Sequence, residues 1–532
     1  MIDSALGLIE FLVYQPSQGM VHPGLSASWV AVVVAIMLMM ILWVLKFSPD
    51  AISNSSINSS LLVKSIAKFS VLGSITRSFI TRPYVITILR VITSIVFILV
   101  IAAGLFGTPL AERNLATMLT WTLWWSAVVI SVFFVGSAWC AICPWDAIAT
   151  WLVRRRLWRR GSEVSSLNLK VPKSLRNIWP AIFLLVFLTW LELGVGVTTS
   201  PYATALLALL IVVLATISLA VYERKAFCRY FCPVGRTLGA YGGISPIALR
   251  PVENAICVSC KTLECYHGTS DIEPCPTFLV MGSMKQNTYC ISCGACTQSC
   301  PTQNINWQFR PIGNEITYAS RPHWDEAWFI IGLLSLTLFH GFTMMPYWEI
   351  WMQNLAYQIG DSGRLLISFS IGMAIALLLP ILLYSFSITC LSKISGNTEW
   401  RRIFSAMAFS VLPLAFSYHI AHNLSHLVRE SQGFWSVVAN PFGKNSLPLS
   451  TQEIHFRHFN PMIPDNIVFA LQALLILVGF WLALKILRYR IINLGSGVSH
   501  KFKWMTLPMV LFITIISLLS LWLLMQPMIM RM

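Results

Sequence analysis

The sequence predicts an all-α polytopic membrane protein of about ten transmembrane helices, interrupted near its middle by a small polar α+β module. Three observations carry this. Of 532 residues, 56% are hydrophobic and only 11% charged, and the mean hydropathy is +0.70, a balance that soluble domains do not show. The apolar residues gather in ten stretches, each long enough to cross a hydrocarbon core about 30 Å thick. Between the fifth and sixth stretches lies a polar segment that holds eight of the thirteen cysteines.

In chain order the expected spans lie near 27–46, 84–106, 117–137, 178–197, 202–222, 327–346, 365–388, 403–427, 466–486 and 505–527. Three domains follow: an N-terminal membrane domain over 1–245, the module over 246–320, and a C-terminal membrane domain over 321–532. The net charge of +16 is distributed as a topology signal. Lys64, Lys68, Arg77 and Arg82 follow the first span. Arg154, Arg155, Arg156, Arg159 and Arg160 follow the third, and Arg224 and Lys225 the fifth. Lys393, Arg401 and Arg402 follow the seventh, and Arg488 and Arg490 the ninth. The intervening loops are poorer in Lys and Arg or balance them with acids. By the positive-inside rule the odd-numbered spans run inward, both termini lie outside, and the module faces the cytoplasm from an inner (cytoplasmic) membrane. Basic residues used this way give no reason to expect nucleic acid as a partner. Asp3 and Glu10, with no nearby Lys or Arg, do not make the basic start of a signal peptide. Cys390 reads as a small buried hydrophobe, and Arg90 as a side chain that snorkels to the inner surface.

The cysteine spacing of the module is specific. Cys290-x2-Cys293-x2-Cys296-x3-Cys300-Pro301 is the bacterial run for a 4Fe-4S cluster, in which the fourth Cys ligates the other of two clusters. Cys257, Cys260, Cys265 and Cys275-Pro276 supply the complementary set. The expected ligands are therefore Cys257, Cys260, Cys265 and Cys300 for one cluster, and Cys290, Cys293, Cys296 and Cys275 for the other, in a two-cluster ferredoxin-like module. The alternatives are a pair of zinc sites or, less well suited to a reducing cytosol, disulfides.

Two further pairs sit where odd spans meet the cytoplasm: Trp139-Cys140-x2-Cys143-Pro144 and Cys228-x3-Cys232-Pro233-x-Gly235. Their matching positions read as an internal repeat. Four thiols at one membrane level would hold a third cluster, act as redox thiols, or pack as small residues at helix ends.

Aromatic-rich spans that end in these two pairs, followed by a two-cluster run, resemble the NapH/NosR-type membrane polyferredoxins over roughly residues 84–310. Those proteins serve periplasmic nitrate reductase and nitrous-oxide respiration, and a related group assists copper-oxidase assembly. The resemblance implies quinol-linked electron transfer with clusters on the cytoplasmic face. The second pair has the three-residue spacing of that family, and the first has only Ala141 and Ile142 between its cysteines.

The C-terminal half contributes histidines. His419, His422 and His426 fall within a stripe of about 60° on one helix, and His340 lies on another span. The topology puts all four in the outer half of the membrane, with His455 and His458 in an outer loop and Met344, Met345, Met352 and Met462 on the same side. Ionisable groups inside a membrane are functional candidates. The four histidines suit haem b ligated from two helices, with His340 and His419 the pair best matched in depth. They also suit a copper site, with Met favouring Cu(I), or plain interhelical hydrogen bonding. Glu192 is a candidate for exchanging quinone protons.

The expected function is membrane-bound iron–sulfur electron transfer, as a component of an oxidoreductase system that links a quinone pool with an extracytoplasmic acceptor or membrane redox partner. The alternatives are a copper reductase or assembly factor for a respiratory metalloenzyme, and a membrane redox sensor.

Overall fold

The computed structural model describes residues 21–46, 64–65, 82–155, 166–396, 399–494 and 498–529. Lys68, Arg77, Arg156, Arg159 and Arg160, the extreme N-terminal residues and the side chains of Lys64 and His458 lie outside what is described. The architecture is a helical bundle with a small α+β unit at one end.

The N-terminal half contains α1 (Ala27–Lys46), which packs on the last two helices of the chain, and then α2 (Pro83–Phe106), α3 (Trp125–Val135), α4 (Pro144–Arg154), α5 (Trp179–Leu193), α6 (Pro201–Val221) and α7 (Pro233–Gly242). Five of these begin with Pro in the first turn, where its missing N–H leaves no bond unmade. The C-terminal membrane domain contains α8 (Trp324–Thr343), α9 (Pro346–Ile359), α10 (Leu366–Ser395), α11 (Trp400–Glu430), α12 (Asp465–Ile492) and α13 (Val498–Met525).

Among the described residues, nine helical segments are long and apolar enough to cross a membrane. The fourth expected span is the exception. It is the 15-residue α5, about 22 Å long at 1.5 Å per residue, and it stops at Gly194 and at Gly196, whose φ is +80°. A π-helical stretch, Met118–Trp124, precedes α3, and a 3-10 stretch, Gly136–Ala141, follows it. Such irregular backbone is tolerated at membrane depth when it faces protein rather than lipid.

One continuous core joins the two membrane domains: Val128, Val132, Leu238 and Tyr241 pack in the same buried cluster as Phe404, Tyr418, Phe480 and Phe512. The α11 helix is its centre, with most of its residues buried. Val21–His22 pairs antiparallel with Met528–Ile529, so both ends of the described chain lie at the same end of the bundle. Two expectations need correction. Arg90 does not snorkel outward; it turns inward, donating to Ala141 O at 2.7 Å and to Asp146 Oδ2 at 3.0 Å. Cys390 is half-buried rather than buried. The expected outer loop before α12 carries short helices, and His455 and His458 fall on one of them, Thr451–Phe459.

The α+β unit is built on antiparallel strands β1 (Ile247–Pro251) and β2 (Ile305–Phe309), with short helices Asn254–Ser259, Glu264–His267 and Ala295–Ser299 between them. It docks on the bundle through basic residues that follow α6. Arg224 Nη1 donates to Cys275 O at 2.8 Å, the Lys225 amide to Pro276 O at 3.2 Å, and Arg229 to Thr277 O. Arg236 on α7 donates to Thr288 O at 2.8 Å. Gly239 lets α7 reach this loop, since a Cβ there would run into the Thr288 carbonyl. Replacing Gly239 with Val should cost about 1–3 kcal/mol through overpacking, read as a lower melting temperature of the detergent-solubilised protein.

Candidate iron–sulfur centres and the cavity between the membrane domains

All thirteen cysteines are free thiols, and twelve of them fall into three groups of four. In the α+β unit, Cys275, Cys290, Cys293 and Cys296 line a small void of about 20 Å³. The loop that shapes it uses left-handed backbone at Ser292 (φ 49°) and Gly294 (φ 75°), which turns amide N–H groups inward, as anion-holding loops do. The Leu279 amide donates to Cys275 Sγ at 3.3 Å, and the Ser292 and Ala295 amides face the Cys290 and Cys293 sulfurs.

The second group is Cys257, Cys260, Cys265 and Cys300. Cys257 interacts electrostatically with Cys300 and Cys260, and Cys265 with Cys257 and Cys260. Asn304 donates to Cys300 Sγ through its amide and to Cys257 Sγ through its side chain, each at 3.4 Å. The fold thus brings together the same cysteines that the interleaved spacing groups. Cys265 and Cys296 also feel thiols of the other group, so the two sets are neighbours.

The third group is the two membrane pairs. Cys143, Cys228 and Cys232 line one small void with Asp146 and Lys225, and Cys140 interacts with Cys143 and Cys232. Cys143 and Cys232 play the same local part. Each is the N-cap of a helix whose first residue is Pro, α4 and α7 respectively. The Gly235 amide donates to Cys232 Sγ at 3.3 Å, and the Asp146 and Trp145 amides face the Cys143 sulfur. Helix N-termini favour negative charge, here thiolates.

Whether an iron–sulfur cluster fits these groups can be judged from three features. The run Cys290-x2-Cys293-x2-Cys296, closed by Cys300-Pro301, has the spacing of a polynuclear cluster rather than the two separated pairs usual for zinc. Cys275, Cys290, Cys293 and Cys296 line one void. Burial pushes the Cys228, Cys232, Cys290 and Cys296 thiols up, and Cys293 up to about 12, so anionic sulfur at these places would need a cationic partner. Last, Arg236 is 1% exposed and interacts with Cys140, Cys232 and Cys228. Its partners are the Thr288 and Cys228 carbonyls and the Tyr289 ring, and its Nε has no partner among the described residues. A buried guanidinium without a carboxylate costs several kcal/mol, and an anionic thiolate-ligated cluster would offset that cost. The residues fit the group.

Asp146 ties this junction together. Lys225 Nζ reaches its Oδ2 at 2.5 Å and Arg90 at 3.0 Å. Arg154 bridges from α4 to Glu273 of the α+β unit at 3.1 Å.

Above the junction lies a cavity of about 440 Å³ between the two membrane domains. One end is walled by Trp139, Pro144, Trp145 and Pro233, beside the cysteine pairs. The other is walled by Glu192, His340, His419, His422 and Asn423. Indole rings connect the ends: Trp124 lies 5.8 Å from Trp139 and 5.6 Å from Trp145, and Trp125 lies 5.6 Å from His419, all between ring centroids. Ile92 and Val96 belong to the wall and are 51% and 41% exposed on the lipid-facing side of α2.

Of the histidines expected to share a metal, His340, His419 and His422 line this wall, and His426 lies one turn beyond His422 on α11. His340 Nε2 stands 3.8 Å from Glu192 Oε2. His419 Nδ1 is hydrogen-bonded with the Tyr241 hydroxyl at 3.1 Å. His426 Nδ1 is hydrogen-bonded with Glu430 Oε1 at 2.8 Å. Both ring nitrogens of His422 are buried without a partner among the described residues. His455 is exposed and apart from the cavity.

Sequence reasoning missed Asp146, Arg236, the indole series, Tyr241 and Glu430. The signal was present for two of them: Asp146 and Arg236 stand three and four residues after the last Cys of each pair.

Comparison with known proteins falls on the membrane pairs. A 4Fe-4S binding domain family matches residues 117–161 and 204–245, segments that contain Cys140 and Cys143, and Cys228 and Cys232. The chain is 25% identical to an uncharacterized protein of Methanocaldococcus jannaschii over 247 residues, 46% of this chain and 89% of that protein. It is 30% identical to a second uncharacterized protein of that organism over 115 residues, 22% of this chain and 43% of the relative. It is 26% identical over 157 residues to YccM of Escherichia coli K12, named provisionally as an electron transport protein, covering 29% of this chain and 40% of YccM. No solved structure matches the chain. These findings support iron–sulfur electron transfer in a multi-pass membrane protein.

Changing Asp146 to Ala would leave Lys225 and Arg90 without a buried carboxylate. The expected cost is about 3–5 kcal/mol, measured as lost thermal stability, with Asp146→Glu recovering part of it.

Proposed function

We propose that this protein carries electrons through three 4Fe-4S centres between a redox protein at the α+β unit and a lipid-soluble carrier of the quinone class in the membrane cavity. Cys257, Cys260, Cys265 and Cys300 would hold the outermost centre. Cys275, Cys290, Cys293 and Cys296 would hold the next, and Cys140, Cys143, Cys228 and Cys232 the one in the membrane domain. The observation that carries this reading is their succession. The first set neighbours the second, the second sits in the unit clamped by Arg224, Arg229 and Arg236, and the third opens onto the cavity through Pro144 and Pro233.

The iron–sulfur centres supply one-electron transfer. The protein's own part is to hold them in line, exclude water, and balance their charge with Arg236 and Lys225. The cavity supports a lipid-soluble partner because it is mostly apolar, is of the size that binds small molecules, and is walled partly by lipid-facing Ile92 and Val96. Its few polar groups match a molecule with a carbonyl or hydroxyl head. We read His340, His419, His422 and His426 as groups that bind or move protons, since His340, His419 and His426 each meet a different polar side chain, Glu192, Tyr241 and Glu430. The half-buried Cys257 and Cys260, beside exposed Val258 and Lys261, are where a redox partner would approach. We infer an inner-membrane location with this unit in the cytoplasm, on the charge distribution.

Two outcomes test this. Anaerobically purified protein should contain about twelve iron and twelve sulfide per chain, and Cys228→Ser should lower iron by about four while the signals of the other two centres persist. Unchanged iron in that variant would remove the membrane centre from the scheme. A membrane-impermeant amine reagent should modify Lys261 in inverted vesicles and not in intact cells; labelling in intact cells would reverse the topology.

A further inference from the structure

We propose that α11 carries a proton path, His422 to His426 to Glu430, by which the carrier exchanges protons at the end of the bundle opposite the α+β unit. This rests on the reading of the cavity as a quinone-class site. Electrons and protons of one carrier would then leave toward opposite membrane faces, and turnover would charge the membrane.

The path is a row of neighbours. His422 lines the cavity, is 3% exposed, and has both ring nitrogens unpartnered among the described residues. A buried polar side chain without a partner costs free energy unless a ligand or water meets it. His422 and His426 rings are 5.2 Å apart between centroids, one turn along the same face. His426 Nδ1 meets Glu430 Oε1 at 2.8 Å, and Glu430 Oε2 accepts from Thr122 at 3.1 Å. His422 to Glu430 is eight residues, about 12 Å along the axis. Two neighbouring arginines are engaged elsewhere: Arg429 pairs with Asp465, and Arg113 with Glu453; Arg457 lies beside Gly433.

The direction follows from the ends of α11. Trp400 at its start packs on Trp324, and α8 begins there with Glu326, which accepts from Thr288 of the α+β unit at 2.6 Å. Glu430 lies thirty residues further, about 45 Å away, and its side chain is 19% exposed.

The balance is simple. Oxidising one quinol to the quinone breaks two O–H bonds and yields two electrons and two protons. The electrons pass singly to the iron–sulfur centre at Cys140, Cys143, Cys228 and Cys232. Each proton passes from the carrier oxygen to a His422 nitrogen, through His426, to the Glu430 carboxylate and then to water. Reduction of the quinone runs the same route inward.

The test uses the full-length protein with its centres, reconstituted in liposomes. Decylubiquinol is the probe donor. External ferricyanide is the acceptor, so that only molecules with the α+β unit outward turn over. Pyranine trapped inside reports protons. The wild type should acidify the lumen by one proton per electron, and valinomycin with potassium should speed it. Glu430→Gln and His422→Gln should each slow turnover and lumen acidification at least about tenfold, while the dithionite-reduced iron–sulfur signals stay at full amplitude. External acidification overturns the proposal, as does a Glu430→Gln variant that turns over like the wild type, or loss of lumen protons in Glu192→Gln alone. A b-type haem band in the reduced spectrum that disappears in His422→Gln overturns it too. If decylubiquinol does not reduce the centres of the wild type, the carrier reading falls and this one with it. If it does, and the lumen stays neutral, only the proton path falls.

Discussion

The molecule is organised around a buried concentration of positive charge. Arg236, Lys225 and Arg90 converge on the membrane cysteine pairs, and the one carboxylate among them is Asp146. An excess of buried cations is unstable unless something anionic is present. The iron–sulfur centre proposed at Cys140, Cys143, Cys228 and Cys232 would be such an anion. The same cations also do the assembly. Arg236 reaches from the cysteine site to the Thr288 carbonyl, and Arg224 and Arg229 hold the carbonyls of Cys275 and Thr277. Charge balance at one centre and docking of the next are therefore a single interaction.

The local backbone follows from the need to bring four sulfurs to one level. Here two spans stop, each chain turns, and a Cys-Pro pair starts a new helix. The N-terminal amides of α4 and α7 then face the sulfurs, where a continued helix would have presented carbonyls. The π-helical and 3-10 stretches around α3 lie on the approach to this turn. They place Trp124, Trp125 and Trp139 along the cavity, and they are permitted because α11 and the cavity lining cover them.

Hydropathy and cysteine spacing made much of this legible. Nine spans and the grouping of Cys257 to Cys300 into two sets could be read directly, because both signals are local in sequence. Arg90 reads from the sequence as snorkelling to the inner surface because the sequence does not show that Asp146, 56 residues later, stands opposite it. The α5 span was read as full length because hydropathy continues past Leu193, although Gly194 and Gly196 end the helix. The histidines of α11 do share one face, as their spacing requires. Periodicity cannot say what faces them, and His419, His422 and His426 meet Tyr241, an open cavity wall and Glu430 in turn.

The division of labour between the halves follows from distance. Electrons cannot cross a hydrocarbon core of about 30 Å in one step, and the cysteine groups reach only as far as the ends of α3 and α6. The carrier proposed for the cavity, entering from the bilayer, would remove the need for a further centre. It would bring a different requirement, because reduction and oxidation of such a molecule move protons, and the cysteine end is walled by indoles and prolines that do not exchange them. Titratable groups occur on the other wall, contributed by α5, α8 and α11. The N-terminal half, where the 4Fe-4S family matches, walls the cysteine end of the cavity. Glu192 of α5 joins α8 and α11 of the C-terminal half at the other end, where a carrier with exchangeable protons would find titratable groups, and the continuous core packed around α11 holds the two walls in register.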